Sequence, residues 1–124
     1  MLSLTIYTIY ALLILLLTIL VASYISAIDT ETLELTKTEL SWQEASAKCE
    51  NLQQDWALPS VLTLVGLYYF SNEIVWNPAT DYWSNTQLFN RGFGLNTGLG
   101  ILSFDVMQDQ DHFICTRPET TGHY

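Results

Sequence analysis

The sequence predicts an α+β fold in which one N-terminal apolar helix precedes a small domain with an antiparallel sheet. Three observations carry this prediction. The chain begins with an uninterrupted apolar run, its middle contains two segments with helix-capping residues, and its second half consists of short β-prone runs between turn residues. Helices followed by sequential strands are typical of α+β domains.

The first element is the apolar run over residues 2–28, which contains no charged residue, glycine or proline. About 20 apolar residues are enough to cross the hydrocarbon core of a bilayer. We therefore expect residues 1–28 to form a single-pass membrane anchor. A cleaved signal peptide is the alternative, because "LVAS" and "SYISA" offer small residues for a peptidase, although no lysine or arginine precedes the run.

Charge at the end of this run predicts the topology. Asp29, Glu31 and Glu34 follow it directly, and no basic cluster would hold that side in the cytoplasm. We expect the N-terminus inside and the domain, residues 29–117, in the periplasm or outside the cell. Residues 118–124 form a C-terminal tail, and the domain is secreted if the leader is cleaved.

Net charge excludes several classes of partner. The formal charge is −9, and the chain has only four basic residues, Lys37, Lys48, Arg91 and Arg117. Nucleic acid, anionic headgroups and sulfated polysaccharides require clustered positive charge. We expect none of them as a ligand.

The helices of the domain are predicted from capping and periodicity. Residues 29–38 alternate as a short first strand. Ser41 and Glu44 then form a capping box, after which four residues fall on one helix face: Trp42, Ala45, Cys49 and Leu52. A second helix over residues 61–70 follows Pro59, with Ser60 as its N-cap.

The second half is predicted to be strands. The β-prone runs cover residues 82–86, 93–96, 101–106 and 112–116, with turn residues between them. Strict alternation within the first run would place either Tyr82 or Trp83 in the core.

Two cysteines indicate the compartment. Cys49 and Cys115 lie 66 positions apart. A small exported domain gains from such a link, and closing this loop would stabilise it by about 4 kcal/mol. We predict a disulfide, and two buried free thiols are the alternative.

Five segments together resemble a known family. They are "LSWQEASAKCENL", "WALPSVLTL", "DYWSNTQ", "GFGLNTGLG" and "FICTR". In order and spacing they resemble the short bacterial C-type-lectin-like domain, which also forms the C-terminal part of some bacterial collagen-like adhesins. The resemblance covers about residues 33–117.

This resemblance implies a C-type-lectin-like fold with two helices flanking a twisted antiparallel sheet. It also implies a disulfide between the first helix and the last strand, which matches Cys49 and Cys115. Many animal lectin domains of this fold bind sugar through calcium. The Glu-Pro-Asn and Trp-Asn-Asp signatures of those domains are absent from the sequence.

Calcium is the one cofactor that the sequence suggests. The stretch "FDVMQDQD" carries Asp105, Asp109 and Asp111, and calcium prefers clustered carboxylate oxygens. The alternative is a solvated acidic loop. Zinc is not expected, because His112 and His123 show no ligand spacing.

No catalytic motif is present, and we do not expect an enzyme. The sequence has no Gly-x-Ser-x-Gly elbow, and "GFGLNTGLG" lacks the lysine of a phosphate-binding loop.

A noncatalytic binding module for a protein or a neutral glycan is therefore the leading hypothesis. Two loops are the expected contact surface, with these candidate residues: Trp76, Asn77, Asp81, Phe89, Arg91 and Phe93. Trp76 is the aromatic residue that we expect to be most exposed.

The alternative function is a small structural subunit of a membrane or pilus-like assembly. In that case the N-terminal helix would pack against other helices through Tyr7, Tyr10, Ala11 and Ala22, and the chain would form oligomers.

Overall fold

The computed structural model describes residues 2–28, 30–35 and 38–118. The order of elements along the chain is α1 (Leu2–Ile28), β1 (Thr30–Leu33), α2 (Trp42–Glu50), α3 (Val61–Phe70), β2 (Asp81–Leu88), β3 (Arg91–Asn96), β4 (Ile101–Val106) and β5 (Cys115–Pro118). The α+β prediction is confirmed. Lys37, His123 and the predicted tail beyond Pro118 lie outside the described residues.

Both predicted helix starts are confirmed. The Ser41 hydroxyl accepts a hydrogen bond from the Glu44 backbone N–H at 3.4 Å and donates one to the Glu44 carboxylate at 2.8 Å. The Ser60 hydroxyl accepts from the Thr63 backbone N–H at 3.2 Å. Each serine thus satisfies a backbone donor that the first helical turn leaves unpaired.

The strands form two antiparallel sheets. Strands β2, β3 and β4 pair in that order, and β1 pairs with β5. In the smaller sheet Thr30 lies opposite Pro118 and Leu33 lies opposite Cys115, so that the two ends of the domain are neighbours. The smaller sheet positions the start of the domain against its end.

Some predicted boundaries were wrong. The first strand ends at Leu33, well before residue 38, and the last strand begins at Cys115, where residue 112 was predicted. Residues 111 and 112 instead make isolated bridges to Leu40 and Tyr82. Leu52 is 36% exposed, because α2 ends at Glu50 and no longer presents this residue to the core.

Both faces of β2 are covered, which strict alternation did not predict. Tyr82 and Trp83 are exposed by only 2% and 1%. Tyr82 packs in a core cluster with Leu64 and Leu67 of α3, whereas Trp83 packs in a second cluster with residues of α2. The three-stranded sheet therefore lies between two cores, one for each helix of the domain.

Helix α1 is not separate from the domain. Ser23 is fully buried, and Ala27, with 8% exposure, belongs to the core cluster of α3. The hydroxyls of Ser26 and Thr63 are hydrogen-bonded. Gly66 allows this approach, because a Cβ atom at this position would lie 2.0 Å from the Ser23 carbonyl oxygen. The last turns of α1 and the helix α3 share one packed interface.

A disulfide joins Cys49 and Cys115, with an S–S distance of 2.06 Å. Both residues have no exposed surface. The predicted pairing is confirmed, and the bond connects α2 to the first residue of β5.

We expect the double substitution Cys49→Ala/Cys115→Ala to lower the free energy of unfolding by about 4 kcal/mol, since it releases a 66-residue loop in the unfolded chain. Urea unfolding of the full chain in detergent, with Ser46→Ala on α2 as a control, measures this loss. A change below about 1 kcal/mol would show that the bond contributes little stability.

We expect Gly66→Ala to destabilise the domain by at least about 1 kcal/mol, because its Cβ would meet the Ser23 carbonyl. Alanine is the better helix former by about 1 kcal/mol, so propensity alone would give the opposite sign. Thermal unfolding distinguishes the steric effect from the helix-propensity effect, because the two effects change the Tm in opposite directions. A higher Tm for Gly66→Ala would contradict the close packing of α1 on α3.

Candidate functional site

An aromatic surface surrounds the turn between β2 and β3. Phe89, at the tip of this turn, is 87% exposed and has a positive φ of 57°. Behind it the rings of Phe93 and Phe104 lie 4.6 Å apart, and the Arg91 guanidinium sits 5.6 Å from the Phe104 ring centroid. We call Phe89, Arg91, Phe93 and Phe104 the tip surface.

Hydrogen bonding gives Arg91 a defined position in this surface. Its Nη1 donates to the Phe104 backbone carbonyl at 3.0 Å, which holds the cationic group beside the aromatic pair. A guanidinium with one side on an aromatic ring and its remaining donors free can bind polar groups of a partner. Phe89, Arg91 and Phe93 were predicted from the sequence. Phe104 was not, because only the register of β3 with β4 places it opposite Phe93.

Trp76 was expected to be the most exposed aromatic residue, but it is half-buried, whereas Phe89 is 87% exposed. The Trp76 ring lies between Tyr68 and Tyr82, at centroid distances of 5.5 and 4.8 Å. Asn77 is held by two hydrogen bonds, in which its backbone N–H and its side-chain amide both donate to the Tyr82 hydroxyl. The contacts of these two residues are with the core.

The two loops named as one contact surface lie at opposite ends of β3. Phe89 and Arg91 are at the start of this strand, whereas Asp81 pairs with Asn96 at its end. The Asn96 side-chain amide donates to the Asp81 carboxylate at 2.7 Å. Asp81 is therefore not part of the tip surface.

Asp81 belongs instead to an acidic cluster. One carboxylate oxygen from each of Asp81, Asp105 and Asp111 lies within 4.8 Å of the others. Two of these residues were calcium candidates from the sequence. The third candidate, Asp109, is exposed and takes no place in the group, although its charge acts on the cluster.

Asp111 is the buried member of the acidic cluster. It is only 8% exposed, and its Oδ2 has no hydrogen-bond partner in the part of the chain that the structure describes. Burial raises the pKa of Asp111 to about 8, and the hydrogen bond and negative charge of Asp105 add to this rise. Burial raises the pKa of Asp105 as well, together with its contact to Asp81.

Such a cluster can hold either a proton or a cation. Calcium takes six to eight oxygen ligands, and the unpartnered Oδ2 of Asp111 fits one of these positions. Asp81 and Asp105 are half-buried, so that water can complete the shell. The ligand type and charge fit calcium, and the three side chains present supply about half of the ligands it needs.

Comparison with solved structures shows similarity to two C-type lectin-like proteins of snake venom. Botrocetin superposes with a TM-score of 0.52 at 11% identity, covering 73% of this chain and 90% of that one. EMS16, described as an antagonist of the collagen receptor integrin alpha2beta1, gives a TM-score of 0.50 at 13% identity, covering 73% and 92%.

These two similarities, with the mixed architecture and the disulfide, establish that the fold is C-type-lectin-like. At this level of identity they show the fold alone. No protein-family model and no curated protein matches the chain.

We expect the acidic cluster to make stability fall between about pH 4 and pH 8. The native pKa of Asp111, about 8, lies above its ordinary value of 3.8, so in this range the native state binds more protons than the unfolded chain. Asp111→Asn cannot ionise. It should flatten this part of the pH profile and raise the Tm at pH 8, where the aspartate would be partly ionised in the native state.

Adding calcium distinguishes an acidic cluster that binds a cation from one that only holds a proton. If the site holds the cation, millimolar calcium at pH 8 raises the Tm of the unsubstituted protein and leaves that of Asp111→Asn unchanged. An equal rise in both proteins would place calcium elsewhere. Parallel pH profiles for the two proteins would contradict the role of Asp111.

Proposed function

We propose that this protein is a noncatalytic, membrane-tethered binding module that recognises a partner through its tip surface. The partner is a protein, with a neutral glycan as the second class, and the domain acts at a bacterial cell surface or in the periplasm. The observation that carries the proposal is the strong exposure of Phe89 at the β2–β3 turn, with Arg91 and the Phe93–Phe104 pair in the strands that follow.

The composition of the tip surface favours a protein partner. Aromatic residues and arginine are enriched in protein interfaces, and they dominate the binding energy where they have been measured. Phe89 exposes 87% of its surface at the end of a hairpin, where burial against a partner would remove most of it from water.

The structural neighbours support a protein partner as well. EMS16 is described as an antagonist of a collagen-receptor integrin, so a chain of this fold can act on another protein. A neutral glycan remains the second class, because aromatic faces also stack on sugars.

The packing of α1 against α3 supports a membrane anchor that is not cleaved. Residues 3–28 have the length and hydropathy of a membrane span, with a mean hydropathy of 2.6. Cleavage at the small-residue sites after residue 20 would remove Ser23 or Ala27, which are buried against α3. An anchor that is part of the core is thus favoured over a cleaved leader, and the disulfide favours an oxidising compartment.

An assembly subunit is the second candidate function. The side chains of Tyr7 and Tyr10 are 71% and 61% exposed along α1, so they are available to lipid or to other helices. Crosslinking in native membranes distinguishes the candidates, because a ladder of defined oligomers favours an assembly and a monomer favours a tethered binder.

We expect Phe89→Ala to weaken capture of the partner about tenfold or more, since a central aromatic residue contributes about 2 kcal/mol to such an interface. The full chain in nanodiscs is used as bait for cell-surface proteins and on a glycan array. Bound material is then compared quantitatively between variants.

Val75→Ala is the matched control, because Val75 is 83% exposed but lies outside the tip surface. Arg91→Ala should resemble Phe89→Ala. The proposal fails if both tip variants capture the same partners as the unsubstituted protein, or if protein and glycan screens are both negative.

A further inference from the structure

Helix α3 crosses α1 near the level at which a membrane span would end. The contacts join Ser23 with Gly66, Ser26 with Thr63, and the ring of Tyr24 with that of Phe70, whose centroids are 5.4 Å apart. On α1 these contacts fall within residues 23–27, and on α3 they extend over residues 63–70. Ser26 contacts the early Thr63 and Ser23 the later Gly66, so the two helices pack antiparallel over this stretch.

The position of this crossing relates α3 to the bilayer. The 20 residues before Ser23, residues 3–22, span about 30 Å as a helix, which is the thickness of the hydrocarbon core. Tyr24, two positions after residue 22, is of the residue type that is enriched at the membrane–water boundary. If α1 is a span, α3 lies in the interfacial layer.

The surface beside this crossing is largely apolar, and Glu31 and Glu73 line the cavity that Ala27 shares with Phe70. Helix α3 contains no charged residue, and its Tyr69 and Phe70 are 52% and 44% exposed. The Tyr69 hydroxyl donates to the Gly100 carbonyl, which brings the β3–β4 turn to the end of α3. In that turn Leu99 and Ile101 are 74% and 57% exposed. We call Tyr24, Tyr69, Phe70, Leu99 and Ile101 the apolar rim.

We propose that the apolar rim inserts into the interfacial layer of the bilayer, so that the domain is seated on the membrane. This inference rests on the tether proposed above. The rim is continuous with the membrane-spanning helix through the contact of Tyr24 with Phe70. An uncharged aromatic and aliphatic surface gains free energy when it leaves water at this depth, and it needs no anionic lipid.

Insertion of the apolar rim into the bilayer also orients the tip surface. Strand β4 begins at Ile101, in the rim, and ends at Val106, which pairs with Arg91 of the tip surface. The strand spans about 17 Å, so the rim and the tip surface lie at opposite ends of the sheet. A domain seated by its rim directs Phe89 away from the lipid, where a partner can reach it.

Measuring the depth of spin labels tests whether the apolar rim inserts into the bilayer. Single cysteines replace Tyr69, Leu99 or Phe89 in the full chain, whose own cysteines are bonded and buried. The labelled proteins are placed one per nanodisc in neutral phosphatidylcholine. Leu99 and Phe89 are a matched pair, because both are highly exposed apolar residues at the tips of turns.

At positions 69 and 99 we expect oxygen to reach the label more readily than a water-soluble nickel complex does. At position 89 the nickel complex should reach the label more readily than oxygen does. The proposed insertion of the rim is wrong if the labels at 69 and 99 are as accessible to nickel as the label at 89. Spin–spin broadening at 99 when two copies share a nanodisc, with nickel access in single copies, would show that a second copy covers the rim and would also overturn it.

Intact mass of the same samples separates this inference from the tether. If α1 has been removed, the tether is wrong and the seat fails with it. If α1 is present but the labels at 69 and 99 are exposed to water, the tether stands and only the seat is wrong.

Discussion

The disulfide between Cys49 and Cys115 is the constraint on which the domain depends. It joins α2 to β5, and β5 pairs with β1, so one covalent bond and one two-stranded sheet hold the beginning of the domain against its end. The bond also lies in the core cluster of Trp83, beside Leu58 and Phe113. A sheet of three short strands has little apolar surface of its own, and this cluster covers one of its faces.

The other face depends on a contact that a separate anchor would not make. Small residues on both helices, Ser23 and Ala27 on α1 and Gly66 on α3, let the two backbones approach closely. Helix α1 and the domain are therefore coupled mechanically, because α3 carries Leu64 and Leu67 of the core that covers Tyr82. The domain thus has a fixed relation to α1.

Local signals in the sequence predicted the helices of the domain well, and the disulfide was predicted from the presence of just two cysteines behind an apolar segment. Ser41 and Ser60 cap their helices in the predicted way, because a cap depends on residues three positions apart. The predictions that failed depend on distant parts of the chain. Trp76 packs edge-to-face against Tyr82, and Tyr82 and Trp83 are both buried, since two helices cover the two faces of the sheet. No periodicity within a strand contains that information.

The candidate sites show the same limit. Arg91 and Phe93 are close in sequence, but Phe104 joins them only through the register of two strands. Asp105 and Asp111 were visible as an acidic stretch, whereas Asp81 comes from a strand more than twenty residues earlier. The docking of α1 on α3 had no sequence signal beyond small residues, which occur in many apolar helices.

The central claim is that the lectin-like domain is oxidised and remains joined to its apolar helix. Intact mass of the protein from its native membranes, alkylated before and after reduction, tests this most directly. The account predicts a chain that retains α1 and takes up two alkyl groups only after reduction. A chain without α1, or two thiols that are alkylated in the native state, would contradict it.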